Sequence, residues 1–90
     1  MKFKDLEFKS LKTKRQDGVQ AIHKCPNEYT LSIIQLFYTD MNGEKLPISY
    51  GAADGLYEAA VTQNGKICGE VYGYLDEQGV EDLIVKIEAL

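Results

Sequence analysis

The side chains that could do covalent or metal chemistry are those of His23, Cys25 and Cys68. In an extended strand, His23 and Cys25 lie on the same face with their side chains roughly 6–7 Å apart. A histidine that takes the proton of the thiol would make Cys25 a nucleophile. A zinc ion instead takes four ligands at short spacings, and these residues supply at most three.

Neither chemistry is favoured for His23 and Cys25. The sequence offers no carboxylate or oxyanion donor that can be assigned to the pair, and cysteine is commonly buried for packing alone. We therefore predict that both are core residues, with His23 hydrogen-bonded to a backbone carbonyl. We predict no catalytic residue, no metal and no cofactor; the alternative is a thiol-dependent enzyme that uses Cys25 and His23.

Two glycines four positions apart, Gly51 and Gly55, raise the question of phosphate binding. A P-loop has four residues between its glycines and then Lys and Ser or Thr, whereas three intervene here and an apolar and an aromatic residue follow. The next segment alternates like a strand, so no helix N-terminus would face a phosphate, and Asp54 would repel one. Residues 49–61, "SYGAADGLYEAAV", therefore predict a bend between two strands.

Acidic side chains occur as neighbours in the C-terminal segment, at Asp76-Glu77 and at Glu81-Asp82. Adjacent residues of a helix point in different directions and stay solvated, whereas general acid–base catalysis needs a desolvated pair. These carboxylates therefore predict an acidic helix surface and not an active site. The chain is predicted not to be an enzyme.

Tyrosine is the unusual residue, with six copies and no tryptophan. It offers a large amphipathic contact area at low entropic cost, which suits binding surfaces. We expect Tyr72 and Tyr74 to share one strand face, and some of the six to pack at the edges of the core. The predicted partner-binding residues are Tyr50, Asp54, Tyr57, Glu70, Tyr72, Tyr74, Asp76, Glu77, Glu81 and Asp82.

Length and composition predict a single domain over residues 1–90, with 44% hydrophobic and 27% charged residues. The first 24 residues carry seven of the ten basic residues and three acids, while the remainder carries a net charge of −8. An acidic total with few aromatics among the basic residues argues against direct nucleic-acid binding. No apolar segment suits a membrane span or a secretory signal, so we expect a cytoplasmic protein with two free thiols.

The elements that position these residues follow from the apolar pattern. Alternation predicts strands at 5–11, 19–25, 29–39, 56–61 and 66–74. Turns are predicted at Asp17-Gly18, Asn42-Gly43 and Asn64-Gly65. The last segment has helical spacing, with Asp76 as N-cap and an apolar face formed by Val80, Leu83, Ile84 and Ile87.

Strands followed by one helix predict an α+β fold: an antiparallel sheet of about five to six strands with one C-terminal amphipathic helix packed on one face. Residues 31–38 are apolar on both faces, as in a strand that is covered on both sides. One helix covers only one of these faces. We therefore expect either a sheet that curls on itself or a homodimer through the second face.

Three segments recur in an order that resembles small proteins encoded by phages and prophages: "GVQAIHKCPNEY", "SYGAADGLYEAAV" and "GYLDEQGVEDLIVKIEAL". The chain departs from that pattern where residues 28–30 replace a glycine-rich turn and where Ala52-Ala53 stands in place of a glycine. The resemblance implies a non-enzymatic accessory protein in the host cytoplasm that acts by binding another protein.

The resemblance further implies a stoichiometric inhibitor of a host defence system, of the anti-CRISPR type. An acidic face can replace nucleic-acid phosphates on a basic target groove. That face would consist of Asp76, Glu77, Glu81, Asp82 and Glu88, extended by Asp54 and Glu70. The alternative is a small oligomeric protein with a structural or regulatory role in the phage.

Overall fold

A computed structural model describes residues 2–90 of the chain, apart from the side chain of Glu70. Its strands are β1 (Lys9–Ser10), β2 (Gln16–Lys24), β3 (Tyr29–Thr39), β4 (Lys45–Pro47), β5 (Tyr57–Gln63) and β6 (Lys66–Leu75). The helix α1 (Glu77–Glu88) follows them, and short 3-10 turns occupy Phe3–Asp5 and Ala52–Asp54. The predicted α+β class, with one C-terminal helix, is confirmed.

All strand pairs are antiparallel, in the order β1-β2-β3-β5-β6. The central strand β3 pairs along one edge with β2 through residues 30–38. Its other edge is shared, since β4 pairs with residues 37–39 and β5 with residues 29–34. β4 and β5 therefore lie one after the other along the same edge of β3, and the loop that joins them leaves this edge and returns to it.

The core lies between the helix and one face of the sheet. Leu31 and Ile33 of β3 are fully buried, and so are Val80 and Ile84 of α1. The helix begins as predicted, because the Asp76 carboxylate accepts a hydrogen bond of 2.6 Å from the Gly79 N–H. The apolar helical spacing thus builds the face that packs on the sheet.

The opposite face of the sheet is not covered by the helix. A cross-strand row on this face runs through Ile22, Ser32, Ala60 and Val71. Ile22 and Val71 at the ends of the row are exposed, whereas the two residues between them are half-buried. The apolar pattern of β3 predicts cover on both faces, and the helix covers one of them. A curled sheet or a homodimer that would cover the second face stays a prediction.

Two local predictions are wrong. The predicted strand over residues 5–11 is reduced to β1, and its first residue, Asp5, instead ends a 3-10 turn. Leu6 is still buried in the core and Phe8 packs against the core, as their alternation predicts. Asp17-Gly18 is not a turn but part of β2. A Cβ atom on Gly18 would collide with the carbonyl oxygen of Gln35. This glycine therefore serves close strand packing and not chain reversal.

Candidate functional site

The most prominent aromatic surface is formed by two stacked tyrosines. The ring centroids of Tyr50 and Tyr74 lie 6.3 Å apart with an interplanar angle of 25°. Their side chains are 59% and 65% exposed. Together with the exposed Ile48 and Asp54, they border a surface depression of about 300 Å³. We call these four residues the tyrosine patch.

The β4–β5 loop holds Tyr50 in place. Ser49 is buried, and its hydroxyl accepts a hydrogen bond of 2.9 Å from the Leu36 N–H of β3. The Tyr50 N–H donates to the Glu58 carboxylate at 3.0 Å. Gly51 has a left-handed backbone, with φ of 90°, and a Cβ there would lie 2.9 Å from the Leu56 Cβ. The glycine that suggested a phosphate loop therefore shapes a tight bend.

A bulge in β6 sets the position of Tyr74. Ala59 faces Tyr72 while Tyr57 faces Leu75, so β6 has one more residue than β5 across this interval. Tyr74 takes a left-handed backbone with φ of 56°, which is unusual for a bulky residue. Gly73 permits the contact with the loop, because a Cβ there would lie 2.5 Å from the Tyr50 Cβ.

The bulge corrects the prediction that Tyr72 and Tyr74 share a face. Tyr72 packs partly against the core, with the Lys86 ammonium 5.8 Å from its ring centroid. Tyr74 instead stacks on Tyr50 and is exposed. Strict alternation fails here because the extra residue changes the face to which the following side chain points.

Tyr57 does not belong to the tyrosine patch. Its ring lies 5.2 Å from the ring of Phe3 and 5.4 Å from that of Phe8, centroid to centroid. Burial, and next the charge of Glu77, raise the pKa of the Tyr57 phenol. This tyrosine therefore anchors the N-terminal segment to the sheet, in line with the expectation that some tyrosines pack at the core edge.

Several of the predicted acidic residues have structural roles. Asp76 caps the helix, and Glu81 accepts a hydrogen bond of 2.8 Å from the Phe3 N–H. Glu88 contacts His23. Glu77 and Asp82 are exposed, and the Asp82 carboxylate accepts a bond from Gln78. Glu70 is among the predicted residues too, but its side chain lies outside the described part of the structure.

His23 and Cys25 lie next to the carboxylate of Glu88, a residue that the sequence did not associate with them. The His23 Nε2 atom lies 3.2 Å from Glu88 Oε2, so a helix carboxylate takes the place of the predicted backbone carbonyl. The potential ligand atoms of His23, Cys25 and Glu88 all lie within 4.8 Å of one another. Cys68 is not part of this group, and both cysteines are free thiols.

The environment of Cys25 disfavours a thiolate when no cation is near. Cys25 is 7% exposed, and burial, followed by the negative charge of Glu88, raises the pKa of its thiol. A nucleophilic cysteine needs the opposite shift. The arrangement of a thiol, an imidazole and a carboxylate therefore does not by itself make a thiol enzyme.

Nothing in the local sequence of β2 pointed to Glu88. The residue follows the buried Ile87 in the last turn of α1, and it meets β2 only because the helix packs across the sheet. The Asn27 side chain fixes this end of the helix by donating to the carbonyl oxygens of Ile87 and Leu90, at 2.9 and 3.2 Å. The contact between Glu88 and His23 depends on how the helix docks on the sheet, which the spacing of residues in the sequence does not reveal.

No protein-family model matches this chain, and no curated protein or solved structure shows significant similarity to it. Within residues 2–90, no helix combines the length and the apolar character needed to cross a membrane.

Proposed function

We propose that this chain is a non-catalytic protein that acts by binding another protein through the tyrosine patch. The observation that carries the proposal is Tyr74, whose large ring is exposed on a left-handed backbone. That backbone costs about 1–2 kcal/mol for residues other than glycine. Glycine or asparagine would suit this backbone better, and a bulky residue held in a left-handed conformation is commonly part of a functional site.

The chemistry of the tyrosine patch supports protein binding. Exposed tyrosines are enriched at energetic hot spots of interfaces, and here two of them are held by packing against a sheet. Ile48, 50% exposed, adds apolar surface, and Asp54 adds a negative charge at the border. An aromatic centre with a polar border is the usual anatomy of a protein interface.

The partner we propose is a host defence complex that the chain inhibits stoichiometrically, as the resemblance to phage-encoded proteins implies. Residues 25–90 carry a net charge of −8, and nucleic-acid-binding complexes have basic grooves. Of the predicted acidic residues within α1, Glu77 and Asp82 are exposed and Glu81 is half-buried. Aromatic contact supplies affinity, and the acidic charge steers association.

The test is protection of a phage from a defence-proficient host by expression of this chain, together with co-purification of the host complex. We expect both to be lost in the double variant Tyr50→Ala, Tyr74→Asn, at about 2 kcal/mol or ~30-fold in Kd for each hot-spot residue. Val85→Ser, at a 60% exposed apolar position of the helix, is the control. Unchanged binding by the double variant would reject the tyrosine patch.

The role of acidic charge has its own test. The double variant Glu77→Lys, Asp82→Lys should slow association with a basic target and weaken the salt dependence of binding. Binding that is insensitive to this charge reversal would reject the acidic-face mechanism and leave the tyrosine patch intact. Failure of phage protection with wild-type protein in every defence-proficient host would reject inhibition of defence.

A second candidate is the small oligomeric phage protein, which the uncovered sheet face favours. Ile22 and Val71 are 54% and 43% exposed at the two ends of one cross-strand row. Light scattering coupled to size exclusion should give twice the monomer mass, and Ile22→Lys should return the monomer. A wild-type monomer at high concentration would reject this candidate.

A further inference from the structure

Three side chains of different chemistry meet at the end of the sheet where α1 ends. His23 and Cys25 project from the β2 side, and Glu88 comes from the last residue of the helix. The set combines an imidazole, a thiol and a carboxylate, each with one ligand atom within 4.8 Å of the others. This combination of donors suits a borderline-soft divalent ion and not Mg²⁺ or Ca²⁺, which take oxygen ligands.

We propose that His23, Cys25 and Glu88 form a binding site for one Zn²⁺ ion. The His23 Nε2 and Glu88 Oε2 atoms are 3.2 Å apart, and two ligands of a tetrahedral zinc ion lie roughly 3.4–3.6 Å apart given the usual zinc–ligand lengths. Closing the shell needs a shift of about 1 Å in the Cys25 sulfur relative to that geometry. A rotation of the Cys25 side chain about its Cα–Cβ bond would supply this shift.

The charges of the site balance when the ion is present. A thiolate and a carboxylate carry two negative charges, a neutral imidazole carries none, and the zinc ion carries two positive charges. Binding transfers the Cys25 thiol proton to solvent and forms the zinc–sulfur bond. The result is a neutral cluster, which is the form that a partly buried site tolerates.

The backbone around the site is already in place before the ion arrives. Cys25 N–H donates to the Tyr29 carbonyl oxygen at 2.8 Å, and Asn27 holds the end of the helix through two carbonyl oxygens. His23 is the more enclosed ligand, with 13% of its side chain exposed against 31% for Glu88. Three protein ligands leave the fourth position of a tetrahedral zinc ion to water.

The site is independent of the tyrosine patch, so either proposal can fail alone. Its experiment is titration of the full chain with Co²⁺ and Zn²⁺ under a phosphine reductant that keeps thiols free. We expect one Co²⁺ per chain, a near-ultraviolet charge-transfer band from thiolate to cobalt, and its loss when Zn²⁺ is added. Absence of this band in the wild-type protein would overturn the proposal.

Variants assign the ligands. Cys25→Ala, His23→Gln and Glu88→Gln should each weaken Zn²⁺ binding by more than about 100-fold, because the loss of a ligand costs more than the roughly 10–100-fold typical of an outer-shell partner. Cys68→Ala and Glu81→Gln are the matched controls, because they remove the other thiol and another helix carboxylate that accepts a hydrogen bond. A cobalt band that disappears in Cys68→Ala but persists in Cys25→Ala would overturn the assignment.

Thermal unfolding supplies a second measurement that does not depend on the cobalt absorption band. Zn²⁺ should raise the Tm of the wild-type protein and of Cys68→Ala, and a chelator should reverse the rise. The same rise in His23→Gln would overturn the proposal, since it would place the ion elsewhere. If Cys25→Ala does not fold, His23→Gln and the wild-type spectrum decide the question.

Discussion

Gly73 and Tyr74 are neighbours near the end of β6, and each is constrained in a different way. Gly73 lies against Tyr50, where the space for a Cβ atom is missing. Tyr74 has φ of 56°, where a glycine would be the easier residue, and yet it carries a large ring. The contact between Tyr50 and Tyr74 thus depends on two adjacent residues. Gly73 leaves room for Tyr50, and Tyr74 adopts a left-handed backbone that brings its ring onto that of Tyr50.

Replacing Tyr74 tests whether the stacking of its ring offsets the cost of its left-handed backbone. Tyr74→Asn removes the stacking on Tyr50, worth about 0.5–1.5 kcal/mol, and relieves a left-handed backbone that costs about 1–2 kcal/mol. The two terms oppose each other, so we expect the free energy of unfolding in urea to change by less than about 1 kcal/mol. A loss above ~2 kcal/mol would show that Tyr74 is needed for folding, which would remove the argument for binding.

The two thiols differ in accessibility, and this difference can be measured. Cys25 is buried with a raised thiol pKa, whereas Cys68 is half-buried in the sheet. With a chelator present, we expect Cys68 to react with an aromatic disulfide reagent at least ~10-fold faster than Cys25. Cys25→Ala should abolish the slow phase and Cys68→Ala the fast one. Equal rates in the native protein would contradict the described burial.

At the scale of elements, the stability of α1 depends on the cap at its N-terminus. The Asp76 carboxylate bonds the Gly79 N–H at 2.6 Å, while Asp82 bonds only the side chain of Gln78. We expect Asp76→Ala to lower the free energy of unfolding by about 1 kcal/mol. Asp82→Ala, the control on the same helix, should change it by less than ~0.5 kcal/mol. Equal effects would show that helix charge matters more than the cap.

The strands β2 and β4 are linked across β3 by a salt bridge. The Lys45 ammonium lies 2.7 Å from Asp17 Oδ2 and, through hydrogen bonding and charge, lowers the pKa of that carboxyl. The folded-state pKa lies below the unfolded value, so the link stabilises the fold above the unfolded pKa. Its contribution is lost as the pH falls through the folded pKa.

Lys45→Met tests that link. We expect the Asp17 carboxyl to titrate in carbon-detected NMR at a higher pH in Lys45→Met than in the wild-type protein. Lys66→Met, which removes another strand lysine, should leave the Asp17 titration unchanged. An Asp17 pKa that is the same in wild-type protein and in Lys45→Met would show that the salt bridge does not form in solution.

The elements also show what the sequence could reveal about this fold. Helical spacing and a capping residue predict α1 from its start at Asp76, because these signals are local. Alternation likewise predicts the long strands and their core faces. The Asp17-Gly18 dipeptide misleads, because a turn signal does not report that a neighbouring strand needs the space. The bulge before Leu75 and the contact of Glu88 with His23 depend on tertiary structure, so spacing could not predict them.

At the scale of the whole molecule, the N-terminal segment is joined to both layers of the fold. Phe3 packs on the rings of Phe8 and Tyr57, and its N–H donates to Glu81 of the helix at 2.8 Å. The segment contributes little to the sheet, since β1 has two residues. Its contribution to stability therefore comes from aromatic packing against the sheet and from the bond to α1.

Phe3→Ala tests that contribution. A half-buried aromatic ring should cost roughly 2 kcal/mol when truncated, below the range for a fully buried one. For a domain of this size we expect a fall in Tm of roughly 10 °C, measured by circular dichroism. Lys4→Ala, at an exposed position of the same 3-10 turn, should leave the Tm unchanged within about 2 °C. An unchanged Tm in Phe3→Ala would show that the segment is not docked.

The shared edge of β3 accommodates extra residues between β4 and β5. Pro47 faces Phe37 and Glu58 faces Ile34, whereas an uninterrupted strand would bring residue 50 opposite Ile34, so eight residues are additional at this edge. Tyr50 and Asp54 belong to these additional residues. We expect exchange of the exposed side chains in this insertion to change the exposed surface and to leave the cross-strand pairs in place. Under the proposed binding role of the tyrosine patch, one sheet can therefore carry different binding specificities.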